Sequence, residues 1–305
     1  MSTKTVRRVG ATVAMAAMLT SVAACGGSDD GGSGKSAEKK DNGGAVAKVD
    51  PIAALRTVQK KTNGAKSAKV EGTTVMGDTM SMTQSGSLDW TDGVTGSMTI
   101  KYTGGSMADS MKQLGGDGTM QARYFKDAYY ANMGEAFAKQ AGGKHWIRYA
   151  YDDLAKVAGA SGEVMKDQMQ NATPDQGVKA LLASGDVKKV GQEDVRGVSA
   201  THYSGTVDVA ELTAKSTALS AEQLAEFKKQ LTDAGVTTEQ VDIWVDKNDL
   251  LVKKIEKGMM KTGELNSTVF YSDYGVKAAA ELPPTGDTVD FAEMMKQAQS
   301  GSGGS

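Results

Sequence analysis

Three consecutive segments between Ser67 and Tyr102 alternate apolar or small residues with polar ones, and this two-residue period most restricts what the chain can fold into. In SAKVEGTTVM, Val70, Gly72, Thr74 and Met76 fall on one face. In TMSMTQSGSLDW the same face takes Met80, Met82, Gln84, Gly86, Leu88 and Trp90. In VTGSMTIKY it takes Val94, Gly96, Met98, Ile100 and Tyr102, leaving Ser97, Thr99 and Lys101 on the other. Successive side chains of a strand point to opposite faces, so each segment buries one face and wets the other. Thr91-Asp92-Gly93 turns the chain between the second and third segments. The expectation is an antiparallel meander.

The same style returns further on. Thr119–Met133 reads as a hairpin turning at Lys126-Asp127, and Lys144–Ala150 as a short strand. Val187–Val209 reads as two strands with a turn near Glu193-Asp194, and Gln240–Met260 as a hairpin turning over residues 246–249. Leu265–Tyr274 is the last strand, and Pro283-Pro284 is expected to end the sheet. Helices are interspersed. Pro51–Thr62 has Ile52, Leu55 and Val58 at helical spacing, with Asp50 as N-cap, Pro51 at the first position and Asn63-Gly64 as the stop. Gly104–Gly118 reads as a loop or a loose helix. Tyr151–Ala158, Glu163–Gln170 and Pro174–Ala183 are helical, the last with Thr173 as N-cap. Ser220 and Gln223 form a capping box before LAEFKKQLTDAG, and Phe291–Ala298 closes the chain as a helix. Strands in blocks with inserted helices argue against a parallel α/β fold. The expected class is α+β: a strongly curved antiparallel half-barrel with helices covering its concave face.

The N-terminus reads as targeting. Lys4, Arg7 and Arg8 precede an apolar run, Val9–Ala24, that is shorter than the ~20 residues a spanning helix needs and fits a signal peptide. Val22-Ala23-Ala24-Cys25-Gly26 resembles a lipobox, the bacterial lipoprotein motif. That resemblance implies cleavage before Cys25 and a diacylglyceryl thioether on its sulfur. Cys25 is the only cysteine, so it has no disulfide partner. The 26–48 segment is rich in Gly, Ser, Asp and Lys without apolar periodicity, a flexible tether with a root-mean-square span of roughly 25–30 Å. The expected organisation is a lipoprotein signal peptide over 1–24, the lipidated Cys25 with its tether over 25–49, one domain over 50–299 and a tail over 300–305. The expected location is the outer face of a bacterial cytoplasmic membrane, held by Cys25.

Composition removes several functions. The 35 Lys and Arg are outnumbered by 37 Asp and Glu, and the balance becomes more acidic once the basic leader is removed, so there is no nucleic-acid footprint. His145 and His202 are the only histidines, far apart and without a cysteine ligand nearby, so no metal is expected. Asp246-Lys247-Asn248-Asp249 lacks the glycine and closing glutamate of a calcium loop. No G-x-S-x-G elbow or phosphate loop is complete. Asp152-Asp153 sits where a helix N-terminus favours negative charge. The expectation is a protein without cofactor or catalysis.

Gly191–Val198 leading into Thr201-His202-Tyr203, Trp244-Val245-Asp246 with Leu251–Lys254, and Tyr271–Gly275 followed by Pro283-Pro284, together with the lipobox, resemble the actinobacterial LppX/LprG lipoproteins of the LolA/LolB-like fold. The resemblance covers most of residues 51–300. It implies an apolar cavity between sheet and helices that binds or carries lipids or acylated glycolipids. Methionine is flexible and polarizable, which suits such a cavity. Met76, Met80, Met82, Leu88, Met98 and Ile100 are its candidate lining; plain core packing is the competing reading for each. The alternative function is a tethered interaction or sensing module with a filled core.

Overall fold

The computed structural model describes residues 50–113, 115–170, 173–212, 221–233, 235–260 and 263–301. The leader, Cys25, the tether to residue 49, Ser220 and residues 302–305 lie outside the described residues.

The chain opens with helix α1 (Pro51–Gly64), where Asp50 accepts a hydrogen bond from the Ile52 amide and α1 buries Leu55, Val58 and Thr62. The meander follows as β1 (Ser67–Met76), β2 (Met80–Asp89) and β3 (Thr95–Gly104). Helix α2 (Gly105–Gln113) caps its far end, against β2 and β3. Strands β4 (Thr119–Tyr124) and β5 (Ala128–Asn132), helix α3 (Gly134–Ala138) and strand β6 (Trp146–Ala150) complete one half. Helix α4 (Tyr151–Gln170) runs unbroken where the sequence suggests two segments. Helix α5 (Gln176–Ser184) is apolar nearly all round and is buried between α1 and the later strands β8 (Val198–Asp208) and β9 (Thr238–Val245), as a fully apolar helix must be. Its N-cap is Asp175, not Thr173, because the Thr173 hydroxyl donates to the Asp175 carboxylate.

The second half contains β7 (Lys188–Val195), β8 (Val198–Asp208), α6 (Ala221–Asp233), β9 (Thr238–Val245), β10 (Leu251–Met260) and β11 (Gly263–Ser272). The β7–β8 hairpin turns at Arg196-Gly197, both with positive φ, rather than at Glu193-Asp194. Asp194 fixes that turn by accepting from the Gly197 amide.

All strands join one sheet, in the order β12-β6-β5-β4-β3-β2-β1-β11-β10-β9-β8-β7. It is large, curved and not closed. Pairing is antiparallel except at one edge. There, the sequence expectation that Pro283-Pro284 ends the sheet is overturned. Beyond a 3₁₀ turn at Thr285–Asp287, strand β12 (Thr288–Asp290) pairs parallel with β6 and leads into helix α7 (Phe291–Gly301). Three residues between prolines and a helix carry too little alternation to read as a strand. Ion pairs Arg148–Asp290 and His145–Asp287 fasten this edge. The core is a single main cluster between the inner face and the helices, holding Leu55, Val178, Leu181, Leu182, Val241, Ile243 and Leu251.

Candidate functional site

Directly paired residues on neighbouring strands share a face, so the register sorts the inner surface into rows. One row runs Ala68, Leu88, Gly96, Tyr124, Tyr129, Tyr149. The next runs Val70, Gly86, Met98, Ala122, Ala131, Ile147. Beyond it lie Gly72, Gln84, Ile100 and Met120, then Thr74, Met82 and Tyr102, then Met76 and Met80. Met76, Met80, Met82, Leu88, Met98 and Ile100 therefore occupy one face. Their surroundings differ. Leu88, Met98 and Ile100 are buried in the main core, Met82 packs against it, and Met76 and Met80 are half-buried at the far end.

The inner surface changes character across β11 to β9. The row of Met82 and Thr74 continues into Ser267, Glu256 and Val241. Thr74 and Ser267 hydroxyls pair at 3.1 Å in the interior. Lys254 donates to Glu256 at 2.6 Å, with side chains only 10% and 17% exposed, and Glu239 is buried beside them. Gly177 of α5 makes this packing feasible, since a Cβ there would lie 2.5 Å from Lys254 Cδ. Nearby, the buried Asp175 takes hydrogen bonds from Asn63 and Thr173 and an ion pair with Lys179.

Strict alternation from Leu251 would put Lys253 inward. A register shift between Leu251 and Lys253 inverts this, turning Lys254 and Glu256 inward and Lys253 and Ile255 outward. Sequence reasoning missed the buried ions because the bulge depends on the partner strand, and no residue between Leu251 and Lys253 signals it.

Burial pushes the Glu239 carboxyl up to about 8, the Glu256 carboxylate pushes it the same way, and Lys254 opposes both. Between its ordinary 4.5 and about 8, the folded chain keeps a proton that the unfolded chain has released. The unfolded state then binds fewer protons, so this group makes stability fall as pH rises through that window. Glu239→Gln is expected to flatten that fall. At pH 9 it is expected to be about 1–3 kcal/mol more stable than the parent, because position 239 then buries no charge. Denaturant melts at pH 5, 7 and 9 check this; parallel profiles for both proteins would refute it.

The outer face carries a separate network. His202 stacks on Trp244 at 4.2 Å and lies between Glu193 and Asp242, at 2.9 and 2.8 Å. Lys253 sits 3.9 Å over Trp244, and Arg196 sits 3.7 Å over Phe270 while pairing with Glu71. Both imidazole nitrogens are occupied by carboxylates, an arrangement that holds strands together and offers no free base. His145 is similarly bracketed, and Asp287, then Glu135, raise its affinity for a proton. Among the described residues no group of His, Cys, Asp and Glu is placed to hold a metal, and no helix is long and apolar enough to cross a membrane.

No family model matches the chain. A Streptomyces coelicolor protein named as a candidate lipoprotein is 45% identical over 307 residues, covering 97% of this chain and 98% of its own. This chain belongs to that family of actinobacterial lipoproteins. A second relative, a 31.2 kDa Streptomyces griseus protein from the rplA–rplJ intergenic region, is 68% identical over 252 residues, 83% of each chain. Among solved structures, the lipoprotein LppX of Mycobacterium tuberculosis aligns over 75% of this chain and 97% of its own, at 13% identity and a TM-score of 0.42. LprF of Mycobacterium bovis aligns over 76% and 96%, at 12% identity and the same TM-score.

Proposed function

We propose that this family member is exported, is anchored through lipidated Cys25 to the outer face of the cytoplasmic membrane, and binds acyl ligands on the inner face of its sheet without catalysing a reaction. The observation that carries the reading is the shared face of Met76, Met80, Met82, Leu88, Met98 and Ile100, which grades from buried core to half-buried methionines at one end. Flexible thioethers at a half-buried end adapt to acyl chains of varied length better than branched side chains do. The tether lets the domain reach the bilayer that would supply such ligands.

The test is native mass spectrometry of the full chain, extracted in detergent from the producing cells, before and after exposure to isotope-labelled dioleoylglycerol. Retained lipid that exchanges for the label is the expected result. A chain that carries no lipid and takes up none would sink the reading. The second reading, an interaction module, has one observation in its favour. Strand β7 ends the sheet with Val190 56% exposed, and an open edge can accept a partner strand. A stoichiometric protein partner lost on Val190→Pro would favour it.

A further inference from the structure

Six of the nine tyrosines fall within residues 102–151, and all but the outward Tyr130 lie on the inner side of one half of the sheet. Tyr124, Tyr129 and Tyr149 are consecutive members of one cross-strand row. Their rings touch in sequence, Tyr124 to Tyr129 at 5.1 Å and Tyr129 to Tyr149 at 5.7 Å, and Phe291 of α7 closes the row at 4.8 Å from Tyr149. Tyr102 reaches in from β3, and Tyr151 enters from the first position of α4. Tyr151 is 2% exposed, yet its hydroxyl finds no hydrogen-bond partner among the described residues. The hydroxyl of Tyr129, also buried, has only the Met120 sulfur at 3.9 Å.

A buried donor without an acceptor costs about 1–3 kcal/mol, and an acceptor brought to it would recover that cost. Phenylalanine would fill the same volume at no such cost. The electrostatics narrow the choice of acceptor. Burial pushes Tyr124 and Tyr149 up to about 12, and Tyr102 adds to both. Burial and then Tyr124 raise Tyr151, with the Asp127 carboxylate adding. Burial and the other four tyrosines raise Tyr129 well above the usual phenol range. Among the described residues no cation is recorded acting on Tyr124, Tyr129, Tyr149 or Tyr151, so a phosphate or carboxylate brought here would be a buried charge without a counter-ion among them. Phenol donors without cations select a neutral acceptor. A ligand that lays its chains along the methionine rows would bring such an atom to the tyrosines, which stand in the adjoining rows of the same face.

We infer that the hydroxyls of Tyr151 and Tyr129, within the tyrosine row closed by Phe291, form the polar subsite of the acyl-ligand site and bind a neutral oxygen acceptor, the ester carbonyl or sugar oxygen of an uncharged lipid. This rests on the lipid-binding reading above and adds the chemical class of the headgroup. Anionic phospholipids are excluded as the preferred ligand.

The test uses the delipidated full chain in detergent with three probes: dioleoylglycerol, its dioleyl ether analogue, and the glucoside of that ether. Binding is read by native mass spectrometry titration. The parent is expected to hold the ester about tenfold more tightly than the bare ether, the effect of one buried hydrogen bond. If the acceptor is a sugar oxygen, the glucoside shows that preference over the bare ether instead. Either result supports the subsite and identifies its source. Tyr151→Phe is expected to abolish the preference while leaving affinity for the bare ether unchanged. Tyr130→Phe, on the outward side of β5, is expected to leave the preference intact. If all three probes bind equally to the parent, or if Tyr151→Phe keeps the tenfold preference, the subsite is refuted and lipid binding stands. If none binds, the lipid-binding reading fails with it.

Discussion

Replacing Cys25 by serine is expected to move the protein from the membrane fraction to the medium or the soluble fraction almost completely. Each buried methylene holds about 0.8 kcal/mol, so one acyl chain anchors marginally and two anchor stably. The described helices are too short or too polar to span a bilayer, and the acidic balance of the chain gives little attraction to an anionic surface. A hydroxyl cannot form a thioether, so the variant would lose together both glycerol-linked chains that the proposal places on Cys25. Metabolic labelling with radioactive palmitate, followed by fractionation, reads both consequences. Retention of label, or of the membrane location, in Cys25→Ser would refute the assignment of the anchor. The folded domain should not notice: its melting curve is expected to match the parent, since 26–48 reads as a tether.

Lys254→Ala is expected to destabilise the domain by about 3–5 kcal/mol, the largest single effect among the polar residues described. Lys254 is the cation facing two inward carboxyls, Glu256 at 2.6 Å and the buried Glu239. Burial opposes the charge on its ammonium, and the Glu256 carboxylate first, then Tyr271 and Glu239, hold the proton on. Removing it leaves Glu256 buried without a counter-ion, a far larger penalty than the net worth of the pair. Adding Glu256→Gln to Lys254→Ala is therefore expected to recover most of the loss, a coupling that a mere cavity would not show. Lowering the pH should also shrink the penalty, because protonated carboxyls no longer need the cation. The neighbour supplies the control. Lys253 lies on the outer face over Trp244, and Lys253→Ala is expected to cost less than about 1 kcal/mol. Chemical denaturation of the four proteins decides it; equal losses for Lys253→Ala and Lys254→Ala would refute the buried triad.

These two residues show how far the sequence can be read. Lys253-Lys254 is an ordinary basic pair in the chain, and the bulge alone decides which lysine is buried. The tyrosine row has the same origin. Tyr124, Tyr129 and Tyr149 belong to three strands, and each strand's own alternation says only that one face holds them. Their contact follows from the pairings Tyr124–Tyr129 and Tyr129–Tyr149. Tyr151 lies outside any strand and reaches the same interior because α4 begins directly after β6.

The sequence by itself determined what depends on neighbours along the chain. The Asp50 cap of α1, the Asp246–Asp249 hairpin and the alternation that places six candidate lining residues on one face are local: a cap bonds within two residues, and a strand's period is two. The sole cysteine, with flanking residues that resemble a lipobox, is a local pattern as well. Only the tertiary structure decided that β12 extends the sheet in parallel, that α5 with Gly177 roofs a buried lysine, and that the rings of Tyr124, Tyr129 and Tyr149 touch in a row. Each of these sets residues far apart in the chain against one another, and such contacts follow from strand register and helix docking, which no short window of sequence encodes.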